Sequence, residues 1–288
     1  NGKDENQSNF RKKLFENKGL AFIGSADIIG MAITGVFWLT IATFLEVEEF
    51  GQIHYFLAIA GLAYVFALIG TQNTITVYAA KKVNVVSTLF AFSLIAGAIS
   101  ALIVFFISSG FHASFLLLGF LVNDLAIGYL IGKKLFKSYT KYILTQKVLT
   151  FILGFGFYFV LGPEGIIFAL ALSYIHFSFL IYKGLRTSPV NFPSLKPHVG
   201  FISNNYMFSV IGGLRTNIDK LIIVPLLGLT LLGNLALAMQ FYLILQIIPS
   251  LVFKYTLTHD ASNIPTTRVK VWTLSFAGIG CIATLVLS

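Results

Sequence analysis

Three charged residues lie inside a stretch of the chain that is otherwise apolar enough to cross a membrane: Arg215, Asp219 and Lys220 in the run 206–227. Counting about 1.5 Å per residue from Tyr206, Arg215 lies about 14 Å into the run, near the middle of a bilayer core. Charges at that depth usually face a bundle interior or a wet cavity. Arg215 and Lys220 could attract an anionic phosphate while Asp219 orients the guanidinium. Equally, Arg215 and Asp219 could form an i,i+4 ion pair that only neutralises both charges.

Two other acidic residues lie within apolar runs, Asp27 in the first and Asp124 in the fourth. A carboxylate desolvated in a cavity could take up a proton or bind sodium in a coupled transporter. The alternative role for each is a hydrogen bond to a neighbouring helix. Gln72 and Asn73 make the inner end of the second run polar, which fits a wet vestibule or helix-to-helix hydrogen bonds equally well. His176 is a lone imidazole among apolar neighbours, for which we expect a packing role and no metal site.

The elements that must position these residues are membrane helices. Of the 288 residues 57% are hydrophobic and 11% are charged, and the mean hydropathy is +0.85, whereas soluble domains have about 25% charged residues. Too little polar surface is available to cover a water-soluble core. The formal net charge of +9 does not indicate nucleic acid, because the basic residues fall between apolar runs, as membrane anchors do.

A bilayer core of about 30 Å needs about 20 apolar residues per helix. The sequence contains nine runs of about this size: 19–44, 53–79, 84–107, 114–132, 143–162, 163–182, 206–227, 231–253 and 271–288. We therefore predict an all-α polytopic membrane protein.

The basic residues predict the orientation, because short loops rich in Lys and Arg remain cytoplasmic. Of the 20 Lys and Arg residues, 18 lie in the amino-terminal arm or in alternate connections, Lys147 among them. The other connections carry no Lys or Arg, and Glu46, Glu48, Glu49 and Glu164 lie on or beside them. The pattern predicts a cytoplasmic N-terminus and an acidic outer side.

The same pattern divides the chain into a cytoplasmic arm (1–18), a six-helix lobe (19–182), a cytoplasmic linker (183–205) and the start of a second lobe (206–288). No connection is long enough to hold a soluble domain. Cys281 is the only cysteine, so no Cys-based metal cluster or intrachain disulfide is expected. We also expect no cofactor. The chain starts at Asn1 and its last run reaches Ser288 without a flanking charge, so we expect a fragment of a longer protein.

The two predicted lobes share a short repeat. Leu45, Phe50 and Gly51 align with Leu227, Leu232 and Gly233, 182 positions later, each at an external first hairpin. An even number of helices separates the copies, so both would run in the same direction about an axis along the membrane normal.

Several segments resemble polysaccharide flippases, the Wzx-like branch of the multidrug/oligosaccharidyl-lipid/polysaccharide exporter superfamily. FLEVEEFG (44–51) and GTQN (70–73) look like the first hairpin, and residues 133–165 are similar to helices four to six. Three later segments resemble the opening of the second lobe in that family: RTNIDK (215–220), LLG (226–228) and LGNLA (232–236).

The resemblance implies two lobes around a central cavity, alternating access, and a lipid-linked oligosaccharide as cargo, moved without covalent chemistry in a prokaryotic plasma membrane. Membrane lipids and a coupling H+ or Na+ would be its partners. A multidrug antiporter of the same superfamily is the nearest alternative, and Arg215 and Lys220 argue mildly against its cationic cargo. A membrane-embedded glycosyltransferase or polymerase is a further alternative, for which only Glu46, Glu48 and Glu49 offer an interfacial carboxylate cluster. The last alternative is a passive scaffold, a membrane protein with only a structural role.

Overall fold

The computed structural model describes residues 2–108 and 110–245, with side chains from 22–108 and 110–243. Helices account for the regular structure of these residues. Their bounds are α1 Gly2–Ala42, α2 Val47–Ala67, α3 Gln72–Ala80, α4 Val86–Ser108, α5 Phe111–Gly132, α6 Phe136–Leu161, α7 Pro163–Ser173, α8 Ser178–Leu185, α9 Val199–Leu227 and α10 Leu229–Leu245, with 3-10 turns at Ile175–Phe177 and Phe192–His198.

Six stretches of the described chain are long and apolar enough to cross a membrane: Phe22–Ala42, Val47–Ala67, Val86–Ser108, Phe111–Gly132, Phe136–Leu161 and Pro163–Leu185. Large apolar side chains point away from the bundle, among them Phe106 at 76% exposure and Phe159 at 69%. Lipid can cover such a surface and water cannot. The prediction of an all-helical, multi-pass membrane protein is therefore confirmed. The seventh predicted run lies in α9 and the eighth begins in α10, whereas its end and the ninth run, 271–288, lie outside the described residues.

The second predicted run, 53–79, is interrupted rather than continuous. α2 ends at Ala67 and α3 begins at Gln72. Between them the Gly70 amide donates to Ser93 Oγ of α4 at 2.7 Å, and Thr71 Oγ1 caps α3 by accepting from the Thr74 amide at 3.3 Å. The hydroxyl groups of Ser93 and Thr71 thus accept hydrogen bonds from backbone amides that a continuous helix would have paired internally.

The bundle has two ends of opposite charge. Neighbouring helices meet at one end through Phe44 and Tyr158, whose rings lie 6.1 Å apart, and through His112 Nε2 and Glu164 Oε2, which lie 3.2 Å apart. This "acidic end" also carries Glu46, Glu48 and Glu49. At the opposite "basic end" α3 and α5 lie side by side, and Gly132 of α5 lies against the backbone of α3. A Cβ added at Gly132 would be 2.6 Å from the Thr76 carbonyl oxygen. The connections that follow these two helices carry the exposed side chains of Lys81, Lys82, Lys133 and Lys134.

Two apolar clusters form the core, one toward each end. Phe37, Ile41 and Phe50 belong to the cluster near the acidic end, whereas Leu125 and Phe177 belong to the one near the basic end. The polar side chains of α1 and α6 lie between them. This layering leaves a polar zone at mid-depth.

Candidate functional site

A polar cavity lies at mid-depth in the bundle. Two adjoining cavities of about 410 Å³ and 460 Å³ share part of their lining, and together we call them the central cavity. The shared residues come from α1, α5, α6, α10 and the end of α7: Thr34, Asn123, Gln146, Lys147, Tyr174 and Gln240. Helices of the first predicted lobe and of the second therefore enclose it together.

Among the described residues, four charged side chains line the central cavity: Asp27, Asp124, Lys147 and Lys220. They come from four different helices, α1, α5, α6 and α9. Each is partly buried. Two cations and two carboxylates therefore face one cavity inside an apolar bundle, where electrostatic interactions are stronger than in bulk water.

Asp27 and Lys147 form one charged group in the half of the cavity nearer the basic end. The Tyr139 hydroxyl donates to Asp27 Oδ1 at 2.6 Å, and Lys147 is near enough to interact electrostatically with the same carboxylate. Gly30 of α1 lies beside the lysine stem, where a Cβ would be at an ordinary van der Waals distance of 3.5 Å from Lys147 Cγ. The hydrogen bond from Tyr139 thus orients the carboxylate, and the side chain of Lys147 lies near it.

Lys147 corrects the sequence analysis, which assigned it to a cytoplasmic connection. It lies within α6, which begins at Phe136, so it is about 16 Å along the helix. The assignment was wrong because the lysines of 133–147 were grouped as one connection, although Lys147 lies inside the predicted run 143–162, and α6 begins seven residues before that run. Gln146 and Thr150, which neighbour Lys147 on the helix surface, were the available signal for a polar face.

Asp124 occupies the wall between α2, α5 and α7. The Asn123 amide lies 3.5 Å from Asp124 Oδ1, and the Tyr64 hydroxyl is also hydrogen-bonded to this carboxylate. The neighbouring Tyr174 ring packs edge-on against Phe120, with centroids 5.7 Å apart. The proposed hydrogen bond from Asp124 to a neighbouring helix is therefore present, and the carboxylate also lines the cavity.

Of the charged residues in α9, Lys220 lines the central cavity together with Asn217. The face toward α2 is close-packed: a Cβ on Gly213 would lie 2.6 Å from Val65 Cγ2, and one on Gly61 would lie 2.8 Å from Asn217 Oδ1. Lys220 Nζ lies 3.8 Å from Asp219 Oδ1.

Arg215 occupies a different face of α9. Its side chain is exposed among the described residues, and it is not part of the cavity lining there. The structure therefore brings Asp27, Asp124 and Lys220 to one cavity, places Asp219 beside it, and leaves Arg215 apart.

A second polar group faces the cavity from α2 and α10. His54 Nδ1 lies 3.0 Å from the Phe50 carbonyl oxygen, which can only accept, so the proton is on Nδ1. Nε2 is then the acceptor for the Gln240 amide, 3.4 Å away. Trp38 lies against this imidazole, with ring centroids 4.8 Å apart. Sequence reasoning missed all three residues, because their partners lie on other helices.

A buried network joins α6 to α7. The Gln146 amide donates to Thr150 Oγ1 at 2.9 Å and to Ser173 Oγ at 3.1 Å. Ser173 donates in turn to the Leu170 carbonyl oxygen. These bonds hold the side chains of the cavity wall in fixed orientations.

Two groups of residues from the sequence analysis lie outside the cavity lining. Gln72 and Asn73 open α3 near the basic end, the first half-buried and the second exposed. His176 stacks on Tyr142 at 5.4 Å, and its Nε2 lies 3.0 Å from the Tyr142 carbonyl oxygen. His176 therefore packs as expected, although its Nδ1 is buried without a hydrogen-bond partner among the described residues.

The arrangement is suited to binding a polar ligand at membrane depth. Ammonium groups on α6 and α9 can contact phosphate oxygens, and the amides of Asn123, Asn217 and Gln240 offer donors and acceptors suited to hydroxyls. Trp38 adds an aromatic surface at the same site. Within the described residues no group of three His, Cys, Asp or Glu side chains could hold a metal ion.

The comparisons with known proteins give one match. Residues 40–262 match the model of a family described as polysaccharide biosynthesis protein. No curated protein and no solved structure matches the chain. The match covers more than half of the chain, including α2 to α10 and most of the central cavity. The chain belongs to this polysaccharide biosynthesis protein family, which is of the Wzx-like flippase type.

Proposed function

We propose that this protein flips a lipid-linked oligosaccharide across a prokaryotic cell membrane. The observation that carries the proposal is the central cavity, in which Lys147 and Lys220 face one polar space enclosed by membrane-spanning helices. A sugar head group cannot cross hydrocarbon without such a space, because each unpaired polar group costs several kcal/mol there.

The two ammonium groups belong to different lobes, which links binding to motion. Lys147 lies on α6 of the first lobe and Lys220 on α9 at the start of the second. A phosphate or pyrophosphate bound between them would draw the two lobes together. Lobe rocking would then expose the cavity at one end and close it at the other.

A close contact between the hairpins α1–α2 and α9–α10 supports the proposed repeat. A Cβ on Gly51 would lie 2.1 Å from the Leu229 carbonyl oxygen, and one on Gly233 would lie 2.0 Å from the Val47 carbonyl oxygen. Gly51 and Gly233 are 182 positions apart, and so are Val47 and Leu229, so the two contacts are reciprocal, as across a two-fold axis. We place this axis along the membrane normal, with the acidic end outside and the N-terminus in the cytoplasm.

Asp27 is our candidate for coupling transport to a cation. Its carboxylate competes with the substrate phosphate for Lys147. Uptake of H+ or Na+ at Asp27 would free the ammonium for phosphate, and loss of the cation would favour release. Asp124 is a second candidate, because it too lies on the cavity wall.

A multidrug antiporter of the same superfamily is the second candidate. The two carboxylates of the cavity, Asp27 and Asp124, favour it, because its cargo is cationic.

The acidic loop before α2 gives less support to a glycosyltransferase. Its Glu49 side chain accepts a hydrogen bond from the Glu46 amide at 3.0 Å and so caps α2. We propose no covalent step and no enzymatic activity.

The test is flipping of a lipid-linked oligosaccharide by the protein in proteoliposomes. Lys147→Ala and Lys220→Ala should each lower the affinity about ten- to hundred-fold, because a hydrogen bond to a charged group contributes about 1.5 to 3 kcal/mol. Lys133→Ala and Lys134→Ala, exposed at the basic end, serve as matched controls. Transport of organic cations instead of the lipid-linked sugar would favour the antiporter. Unchanged transport by both cavity variants would refute the proposed site.

A further inference from the structure

A separate apolar groove lies on the lipid-facing side of α5, α6 and α7. It encloses about 540 Å³, and its lining is almost entirely apolar, with Phe115, Leu118, Phe157, Leu161, Phe168 and Leu172 among the side chains. Phe115 is near the start of α5, Leu161 ends α6 and Phe168 is in the middle of α7, whereas Val122 and Ile175 extend the lining to mid-depth. The groove therefore runs from the acidic end to about the middle of the membrane zone.

Tyr174 separates this groove from the central cavity, because its side chain lines both. Its ring lies against the backbone of α5, where a Cβ on Gly119 would be 2.9 Å from Tyr174 Cδ2. α7 ends at Ser173 and a 3-10 turn begins at Ile175, so Tyr174 is at a break in the membrane-spanning segment. One side chain at a helix break thus forms the boundary between a polar and an apolar space.

We infer that the groove holds the hydrocarbon chain of the lipid carrier while the phosphate and sugar lie in the central cavity. The inference rests on the proposed function. An amphipathic substrate needs adjoining polar and apolar spaces, and the two meet at Tyr174. Surrounding lipid is as apolar as the groove, so the chain gains little from the hydrophobic effect. The groove positions the chain by van der Waals packing, which aligns the phosphate with Lys147 and Lys220.

A second groove provides an internal control. It encloses about 360 Å³ between α1 and α6, and its lining is also apolar: Ala32, Ile33, Val36, Val148, Phe151 and Ile152. None of these residues lines the central cavity. A chain drawn from bulk lipid would occupy both grooves, whereas a chain attached to a head group in the cavity would favour the first.

The test is photolabelling of the full chain in proteoliposomes by a polyprenyl pyrophosphate with a diazirine in its chain. Mass spectrometry should find labels on α5 and α7 enriched about fivefold over the α1–α6 groove, equivalent to about 1 kcal/mol. A phospholipid carrying the same diazirine in an acyl chain should label both grooves alike. Equal labelling of the two grooves by the polyprenyl probe, or the same enrichment with the phospholipid probe, would overturn the inference.

Matched groove-filling variants separate this inference from the proposed function. Leu172→Trp narrows the first groove and Ile152→Trp the second, and both side chains face lipid, at 38% and 61% exposure. Leu172→Trp should reduce flipping about tenfold and abolish the enrichment, whereas Ile152→Trp should stay within about twofold of the unsubstituted protein. Normal flipping by Leu172→Trp would refute the groove and leave the flippase proposal standing. Groove-specific labelling without any flipping would support the groove and refute the flippase.

Discussion

The hairpins α1–α2 and α9–α10 meet through equivalent backbone positions but present different chemistry to the central cavity. Gly51 and Gly233 each lie against a carbonyl of the other hairpin. At the cavity, Trp38 of the first hairpin and Lys220 of the second are also 182 positions apart, and both line it. The backbone contact requires a glycine on each side, whereas the side chains that face the ligand are free to differ.

The difference shows how a near-symmetric frame can hold an asymmetric ligand. The first hairpin supplies a carboxylate, Asp27, and the second supplies an ammonium, Lys220. Equal changes to the two glycines should therefore have equal effects, whereas changes to the charges should not.

The largest effect is expected from Gly51→Ala and Gly233→Ala. Each added Cβ would lie within about 2 Å of a backbone oxygen that cannot move alone, and such overpacking costs about 1 to 3 kcal/mol. We expect each variant to lose more than about tenfold in flipping and to unfold at a lower temperature in detergent. Gly156→Ala on α6 and Gly212→Ala on α9 are matched controls, because a Cβ at either position would have no atom within 4 Å among the described residues. If one hairpin glycine tolerated Ala while the other did not, the contact would not be reciprocal.

A smaller effect is expected from Asp27→Asn, which should strengthen substrate binding but slow turnover. Asparagine keeps an oxygen that can accept from Tyr139 but removes the counter-charge of Lys147. The KM for the anionic lipid should fall about threefold to tenfold, and the turnover should slow because release becomes harder. Glu164→Gln, an acid-to-amide change at the acidic end where Glu164 contacts His112, is the control. A rise in KM would contradict competition between Asp27 and the phosphate.

The smallest effect is expected from Arg215→Ala. Arg215 is exposed in the described part of the chain and lies on a different face of α9 from Lys220. Flipping should therefore stay within about twofold of the unsubstituted protein, compared with a tenfold or greater loss for Lys220→Ala. A loss for Arg215→Ala as large as that for Lys220→Ala would place the guanidinium in the substrate path after all.

Much of the fold could be predicted from the sequence, because the cost of exposing polar groups to lipid acts on every residue of a span. Apolar runs therefore locate the membrane spans of α1, α4 and α5 closely. The breaks at Gly70 and Tyr174 were not predicted, since both depend on neighbours far along the chain, such as Ser93 for Gly70. The apolar residues of a single run do not show where a hydroxyl group on another helix accepts the hydrogen bond that a backbone amide would otherwise donate within its own helix.

The candidate site was predictable in part. Asp27, Asp124 and Lys220 stood out as charges within apolar runs, and all three line the cavity. Lys147 was hidden among the lysines of a basic connection. His54 and Gln240 were missed because their contact joins α2 to α10, 186 positions apart.

The sequence by itself determined that this is a helical membrane protein with charge segregated between its ends and a few charges inside its spans. It did so because the bilayer imposes a strong, local and uniform penalty on polar residues. Only the tertiary structure decided which of those charges share a cavity, since a helix rotation of about 100° per residue sends neighbours such as Asp219 and Lys220 to different surroundings. Packing between helices, set by glycine contacts such as Gly51 with Leu229, fixes that rotation.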